Sequence, residues 1–550
     1  MDDRLERPIA ALLALRDPLA PVLAEVAALR SEVANLRREN FELRQQAGYW
    51  KSRHADACER LDAAQQTLEQ LRGEIRLLKS EQFGRRSEKQ SAADRSNDLG
   101  DLDDPQDPKP ARKRGQQRHR PGPPRRDYRH LAAREEWIEL PEEQRRCTCC
   151  GQLAAACGSE DSEQVEIETT IYRRVIHRRR YRRVCDCPGP RTQTAPEPAK
   201  LIPKSRFGTS VWVDVLLDKF ATHRPTERLL ADWRSRDFDV AAGTLNEGLQ
   251  RIAPLFQKIY DALRERNRLS QVFQADETRW KVFEVVDGKT GHAWWLWVFL
   301  GADTTVYLLD PTRSHDVPEA HVGDGEGTMM VDRLASYKAM PQVKDGRVVL
   351  AFCWAHVRRD FVRVGKGFPE LKDWALAWLR RIRDLYRLQA LRGPTLANVA
   401  RTADLRDALT AMQRQARAEL AEASVREPVR KVLTSLMEHW NGLTLFVDDP
   451  RIPLDNNRSE RALRGAAVGR KNYYGSGAVW SGRLAAMMFS VLATLAMWQI
   501  NPRRWLKWYL ERCAEAGAEA PADVRPFLPW NLTPEQRTTL GEAGVEPESG

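Results

Sequence analysis

The sequence has no apolar run long enough to cross a bilayer. Its longest, Leu484–Trp498, carries Ser490 and Thr494 and falls short of a span, so no membrane partner is expected. No secretory leader is expected either. Asp2, Asp3 and Glu6 offset Arg4 and Arg7, and the apolar stretch that follows stops at Arg16. A cytoplasmic location is expected. Cysteine is scarce, 9 in 550 residues, and in a reducing compartment thiols or metal ligands are expected rather than disulfides. Charge of one sign is only slightly in excess: 88 Lys and Arg against 77 Asp and Glu leave +11. Such an excess favours a polyanionic partner, and its distribution matters more than its total. The length excludes a single domain.

What is present begins, after an N-terminal segment (1–21), with a helix over 22–89. Val22, Leu29, Leu36 and Leu43 recur at one seam position, and Val26, Val33 and Asn40 at the other. Valine and leucine in those places, with one seam Asn that is satisfied by its twin, favour a parallel two-stranded coiled coil and hence a homodimer or higher homo-oligomer. The alternative is an amphipathic helix packed on its own chain. The middle of the seam is weak, and a break is expected near Gly48.

A polar linker, 90–135, turns from acidic to basic. Its Lys109, Arg112, Lys113, Arg114, Arg118 and Arg120 suit either a solvated connector or phosphate contact whose strength falls with salt. Over 136–195 the thiols dominate. Cys147-x-x-Cys150 and Cys185-x-Cys187 can close a tetrahedral site for one structural Zn2+; an exposed free-thiol surface is the alternative. The Arg-rich run with Arg178, Arg179 and Arg180 would then lie on a small sheet facing DNA. Residues 196–267 are helical, with a turn ahead of a helix starting near Ala241 that fits either a helix-turn-helix reader or an ordinary bundle.

From residue 268 the pattern becomes aromatic and β-branched. Asp276 lies inside a strand, where an unpaired carboxylate is costly and calls for a cation partner. Asp332 ends an apolar strand, as a helix cap would. Cys353 and His356 are spaced as a half zinc site without a second pair; His356, Arg358 and Arg359 suit phosphate contact better. A helical insertion (366–440) divides the core (268–365 and 441–500), and 501–550 forms a tail. Asn457 and Glu460 match a capping box, among Arg461, Arg470 and Lys471, which suit phosphates or a solvated face. Tyr473, Tyr474 and Trp480 offer stacking surfaces or core aromatics. Strand Asp, strand-end Asp and helical Glu, in that order, suit a ribonuclease H-like fold, and three carboxylates suit Mg2+ or Mn2+.

The segments FGRRSEK (Phe83–Lys89), CTCC…CDC, QADETRW, VDRLASY, CWAHVRRDF and HWNGLTLFVDDPRIPLDNNRSERALRGAAVGRKNYYGSG together resemble transposases of the insertion-sequence-66 family, of the Asp-Asp-Glu class. The resemblance implies a multi-domain α/β protein whose ribonuclease H-like core carries a catalytic triad of Asp276, Asp332 and Glu460. It implies two catalytic ions, bridged by Asp276 and completed by Asp332 and Glu460, and cleavage of element ends followed by joining of their 3′-hydroxyls to target DNA. Double-stranded DNA, small accessory proteins of the same element and a bacterial, nucleoid-associated setting follow as expected partners and place. Two other readings are a non-enzymatic zinc-containing DNA-binding dimer and a ribonuclease H-like nuclease that cuts without joining.

Overall fold

A computed structural model describes residues 6–83, 135, 141–145, 149–150, 152–153, 164, 169–182, 192–392 and 399–541. The chain divides into two compact units. The first contains α1 (Glu6–Phe83), a single helix of 78 residues. It starts well before residue 22 and runs through Gly48 unbroken, since one interior glycine costs a helix only about 1 kcal/mol. Val22, Val26, Leu29, Val33, Leu36 and Leu43 are all exposed, so among the described residues nothing buries this part of the seam. Towards the C-terminal end the helix is covered. Phe368 lies over Gly73, which has no side chain to obstruct it. Arg76 Nε donates to the Gly367 carbonyl at 2.7 Å, and Arg426 bridges Glu69 (3.0 Å) and Glu370 (2.9 Å). These contacts assign Phe361–Ala377 and Ala423–Val432 to the unit of α1, dividing the stretch expected as one insertion.

In the second unit, β1 (Arg180–Arg182) pairs antiparallel with β2 (Thr192–Thr194). Arg178, Arg179 and Arg180 are exposed. Cys150 is exposed, whereas Cys147, Cys185 and Cys187 lie outside the described residues, as do Lys109, Arg112, Lys113, Arg114, Arg118 and Arg120. Four helices follow: α2 (Thr209–Phe220), α3 (Thr226–Arg234), α4 (Ala242–Ile252) and α5 (Gln257–Arg268). Residues 235–241 join α3 to α4, longer than the tight turn of a helix-turn-helix. The four helices bury Trp212, Leu216, Leu245, Ile252 and Phe256 in the same core as the sheet residues Trp280, Leu296 and Val298. They form a bundle built onto the sheet, which matches the ordinary-bundle alternative given for this region.

The sheet has five strands: β3 (Val272–Lys281), β4 (Ala293–Leu300), β5 (Thr305–Asp310), β6 (Gly327–Val331) and β7 (Val348–Phe352). Their order is β5-β4-β3-β6-β7. β3 runs antiparallel to β4 and parallel to β6, which puts it at the centre. Valine, phenylalanine and tryptophan fill these strands because they fit a pleated surface buried on both faces. Between β5 and β7 come α6 (Asp316–Val322), α7 (Ala335–Ala339) and α8 (Pro341–Lys344). After β7, α9 (Trp354–Gly367), α10 (Lys372–Arg392), α11 (Val399–Ala421), α12 (Glu427–Glu438) and α13 (Trp440–Thr444) lead to α14 (Asn457–Tyr473). The last helices are α15 (Val479–Met497), α16 (Pro502–Glu515) and α17 (Pro534–Leu540). α16 buries Trp505, Leu506, Tyr509 and Leu510, so much of the expected tail belongs to the core.

By length and composition the 19-residue α15 could cross a membrane, longer than the run read from the sequence. Here it is a core helix, and two of its hydroxyls, those of Ser490 and Thr494, meet the outer edge of the sheet. Ser490 Oγ accepts from Tyr307 N at 2.8 Å, and Thr494 Oγ1 accepts from Thr305 N at 3.1 Å. On the opposite edge, α13 brings Gly442 against the Leu350 carbonyl. Unpaired strand edges template aggregation, and covering them prevents it. Replacing both hydroxyls (Ser490→Ala with Thr494→Val) leaves two buried N–H groups without acceptors. A loss of about 2–6 kcal/mol is expected, at about 1–3 kcal/mol each, read from urea unfolding midpoints.

Candidate active site

Three elements converge on the middle of the central strand. Asp276 is half-buried within β3, opposite Val298 of β4. Asp332 directly follows β6, the parallel neighbour of β3, and its Oδ1 accepts from Leu334 N at 2.9 Å. That bond shapes the turn ahead of α7, whose cap residue is Leu334 without a side-chain cap bond, so the helix cap expected of Asp332 does not form. Glu460 lies in the first turn of α14.

Asn456 brings Glu460 to the strand. It is fully buried; its Nδ2 donates to the Ala275 carbonyl at 2.8 Å and its backbone N–H to Cys353 Sγ at 3.2 Å. One residue thus ties the start of α14 to the residue before Asp276 and to the end of β7. The expected capping box of Asn457 and Glu460 does not form: the cap residue is Asn456, without a side-chain cap bond. Glu460 is free of that duty. Cys353 is buried, and burial pushes its thiol up to about 11. It serves the Asn456 contact and is no half of a zinc site.

The electrostatics are those of an anionic cluster short of positive charge. Burial pushes the Asp276 carboxyl up to about 8, reinforced by Glu277, Asp332 and Glu460. Among the described residues no cation pairs with Asp276, contrary to the partner expected for it. Its Oδ1 accepts only from the Glu277 N–H, at 2.9 Å. Glu460 has His356 Nε2 at 3.8 Å and Arg359 Nη2 at 3.6 Å, both from α9. Burial, with Arg359, lowers the His356 pKa against the pull of Glu460 and Asp332. Arg333, next to Asp332, is held by Asp360 and by Ser435 Oγ.

Glu277 was not singled out from the sequence. Successive strand residues face opposite sides, so it points away from Asp276, with its side chain 1% exposed. Arg313 binds it, Nε to Oε1 at 3.0 Å, and the Tyr337 hydroxyl donates to Oε2 at 2.8 Å. Only its neighbour Asp276 could have flagged it, and its partners come from distant segments. Of the expected phosphate contacts, His356 and Arg359 stand at the acids. Arg461 and Lys471 are exposed, and Arg358 is half-buried. Arg470 is tied to β3 through Thr278 Oγ1 at 3.3 Å and the Arg279 carbonyl, which is a brace rather than an open cation.

The sequence profile of the transposase IS66 family matches residues 204–484, just over half of the 550 residues. The chain belongs to that family. All three acids fall within the matched span. Among relatives, the uncharacterized protein y4jD of Sinorhizobium fredii (strain NBRC 101917 / NGR234) is 28% identical over 516 residues, covering 88% of this chain and 98% of its own. The uncharacterized protein y4hP of the same strain is 25% identical, covering 70% of this chain and 73% of its own. The crystal structure of the Mos1 strand transfer complex is 13% identical. It covers 27% of this chain and 59% of that one with a TM-score of 0.11, too low to bear on the fold.

The donor set fits a hard divalent cation. Three carboxylates are all-oxygen ligands, and the raised Asp276 carboxyl marks a place where added positive charge is favourable. Among the described residues the acids are not drawn to the 4.8 Å mutual approach of half-buried His315 and Glu319 with exposed Asp316. A cation at Asp276 must displace its proton, so Mg2+ affinity is expected to rise with pH up to about 8 and level off above; titration calorimetry checks this. Without metal the sign for stability is opposite. A carboxyl raised in the folded state stabilises while protonated, and that contribution falls as pH climbs from the ordinary carboxylate range through about 8. Asp276→Asn is therefore expected to raise metal-free stability at pH 8 by about 0.5–2 kcal/mol and to remove the pH dependence of Mg2+ binding.

Proposed function

We propose that the chain is a DNA transposase that cuts the ends of its element and joins them to target DNA at the site of Asp276, Asp332 and Glu460. The observation that carries this is the convergence of three carboxylates, without a neutralising cation on Asp276, in a chain of a transposase family. The strand order, with antiparallel β5-β4-β3 continued by parallel β6 and β7, supports a ribonuclease H-like reading of the core.

Asp276, Asp332 and Glu460 would hold two Mg2+ or Mn2+ ions. When bound, such ions lower the cost of forming the attacking oxygen and stabilise the leaving one. In the first step a water oxygen forms a bond to phosphorus while the bond from phosphorus to the 3′-oxygen breaks, freeing a 3′-hydroxyl at the element end. In the second, that hydroxyl attacks a target phosphodiester and a target 3′-oxygen leaves. Asn456 holds Glu460 against the strand. Arg359 and His356 orient Glu460 and lie where a scissile phosphate would approach. Exposed Arg461 and Lys471, with Arg178, Arg179 and Arg180, supply cations for DNA backbone contact.

The exposed seam of α1 is assigned to a second copy of the chain, with Asn40 paired to its twin and setting the register. One structural Zn2+ at Cys147, Cys150, Cys185 and Cys187, a cytoplasmic, nucleoid-associated location and accessory proteins of the same element complete the proposal.

Asp276→Ala is expected to abolish Mg2+-dependent cleavage and joining of labelled element ends, a fall of at least about a thousandfold, while end binding persists. Joining by the variant would remove Asp276 from the triad. Nicking without joining by the unaltered protein would favour a nuclease. For the seam, Leu36→Glu is expected to convert the dimer to monomer in sedimentation velocity; a monomeric parent protein would refute the pairing.

A further inference from the structure

An open cleft of about 90 Å³ lies where α2, α4 and the turn between α14 and α15 meet. Its walls include Lys219, Asn246, Tyr473, Ser476, Trp480 and Ser481. Lys219 is half-buried. Its neighbour Asp218 is engaged by Arg224 at 3.2 Å, and among the described residues no carboxylate pairs with Lys219. Its Nζ reaches Thr226 Oγ1 at 3.4 Å and stands 4.9 Å from the centre of the Tyr473 ring. Burial alone lowers its pKa, with no charged group contributing. A buried ammonium without an anion is costly, and one facing an open cleft is matched by an anion from outside. The Tyr473 hydroxyl is likewise buried without a hydrogen-bond partner.

The cleft is rigidly joined to the two elements that carry Asp276 and Glu460. Ser476 N donates to the Lys281 carbonyl at 2.8 Å, Phe283 N to the Ser476 carbonyl at 3.0 Å, and Trp280 Nε1 to Ser476 Oγ at 3.0 Å. Gly475 sits at φ +128 with Lys281 close behind it, a place no side chain could occupy. Tyr473 ends the helix whose first turn carries Glu460, about 20 Å away at 1.5 Å per residue. A strand engaged at the acids therefore meets a fixed second contact point along the same helix.

We propose that this cleft binds one unpaired nucleotide of the DNA strand being processed, its phosphate at Lys219 and its base against the Trp480 ring. An indole face accepts any base, whereas a duplex keeps its bases stacked and offers only phosphates. The proposal rests on the transposase reading for the choice of DNA, but its test does not depend on catalysis.

Binding of the full-length protein to a fluorescein-labelled oligothymidylate of about ten nucleotides is compared, by anisotropy, with binding to a blunt duplex of equal length. Lys219→Gln and Trp480→Ala are each expected to weaken oligothymidylate binding at least about fivefold, as loss of a stacked base does, and to leave duplex affinity within about twofold. Trp480→Phe keeps an aromatic face and is expected to retain most of the affinity, which separates stacking from a folding defect. Unchanged oligothymidylate affinity in Trp480→Ala and Lys219→Gln, or equal losses on duplex and single strand, would overturn the proposal. Asp276→Ala is expected to bind the oligothymidylate normally, so failure of the cleft and failure of the phosphodiester chemistry are told apart.

Discussion

The second unit is organised around a carboxylate that the fold makes expensive. Asp276 sits in the central strand of a sheet covered on both faces, with other acids nearby and no cation to offset it. A structural acid in that position would gain an arginine. One kept without a partner is suited to charge that arrives from outside. The surrounding structure holds this arrangement in place: β6 ends at Asp332, and Asn456 fastens the start of α14 to the strand. The Glu277, Arg313 and Tyr337 network on the opposite face shows the alternative outcome, since there a buried acid is answered by a guanidinium and a hydroxyl.

The helices around the sheet do structural work that their sequence did not advertise. Residues 201–263 share a core with α15, α16 and the strands. A reader of DNA built into that bundle would move with the catalytic centre, not on a tether. Arg470, which resembles a phosphate contact when read along the chain, braces α14 to β3. Positive charge near this site therefore divides between groups that hold the scaffold and groups left to the solvent.

The three acids could be picked out from the sequence because each sits at a recognisable kind of place: inside a strand, at a strand end, in a first helical turn. That the three belong together came from the resemblance to the family, not from their spacing. Spacing did not reveal that Asn456, not Asn457, starts α14, because both can cap a helix and only the distant Ala275 carbonyl and Cys353 thiol select between them. The cation expected for Asp276 was an inference from cost alone, and the cost is real; what meets it is a proton at neutral pH, given the upward shift. The long helix was legible from its repeat, while its extent was not, since a single glycine is a weak stop signal. The role of α15 was hidden for another reason: two hydroxyls in an apolar helix read as interruptions, and only the neighbouring edge strand shows them to be acceptors.

Those hydroxyls limit how this protein can associate with itself. The outer edges of the five-stranded sheet are met by α15 on β5 and α13 on β7, whereas the short β1–β2 ribbon is exposed. The exposed apolar surface of α1 is of a different kind: a helical seam is used up when it meets its match, whereas a strand edge creates a new edge with each chain added. Self-recognition through the first is finite and through the second open-ended. With the five-stranded sheet covered and the helix bare, the pairing proposed for α1 is one of fixed stoichiometry, not of indefinite growth.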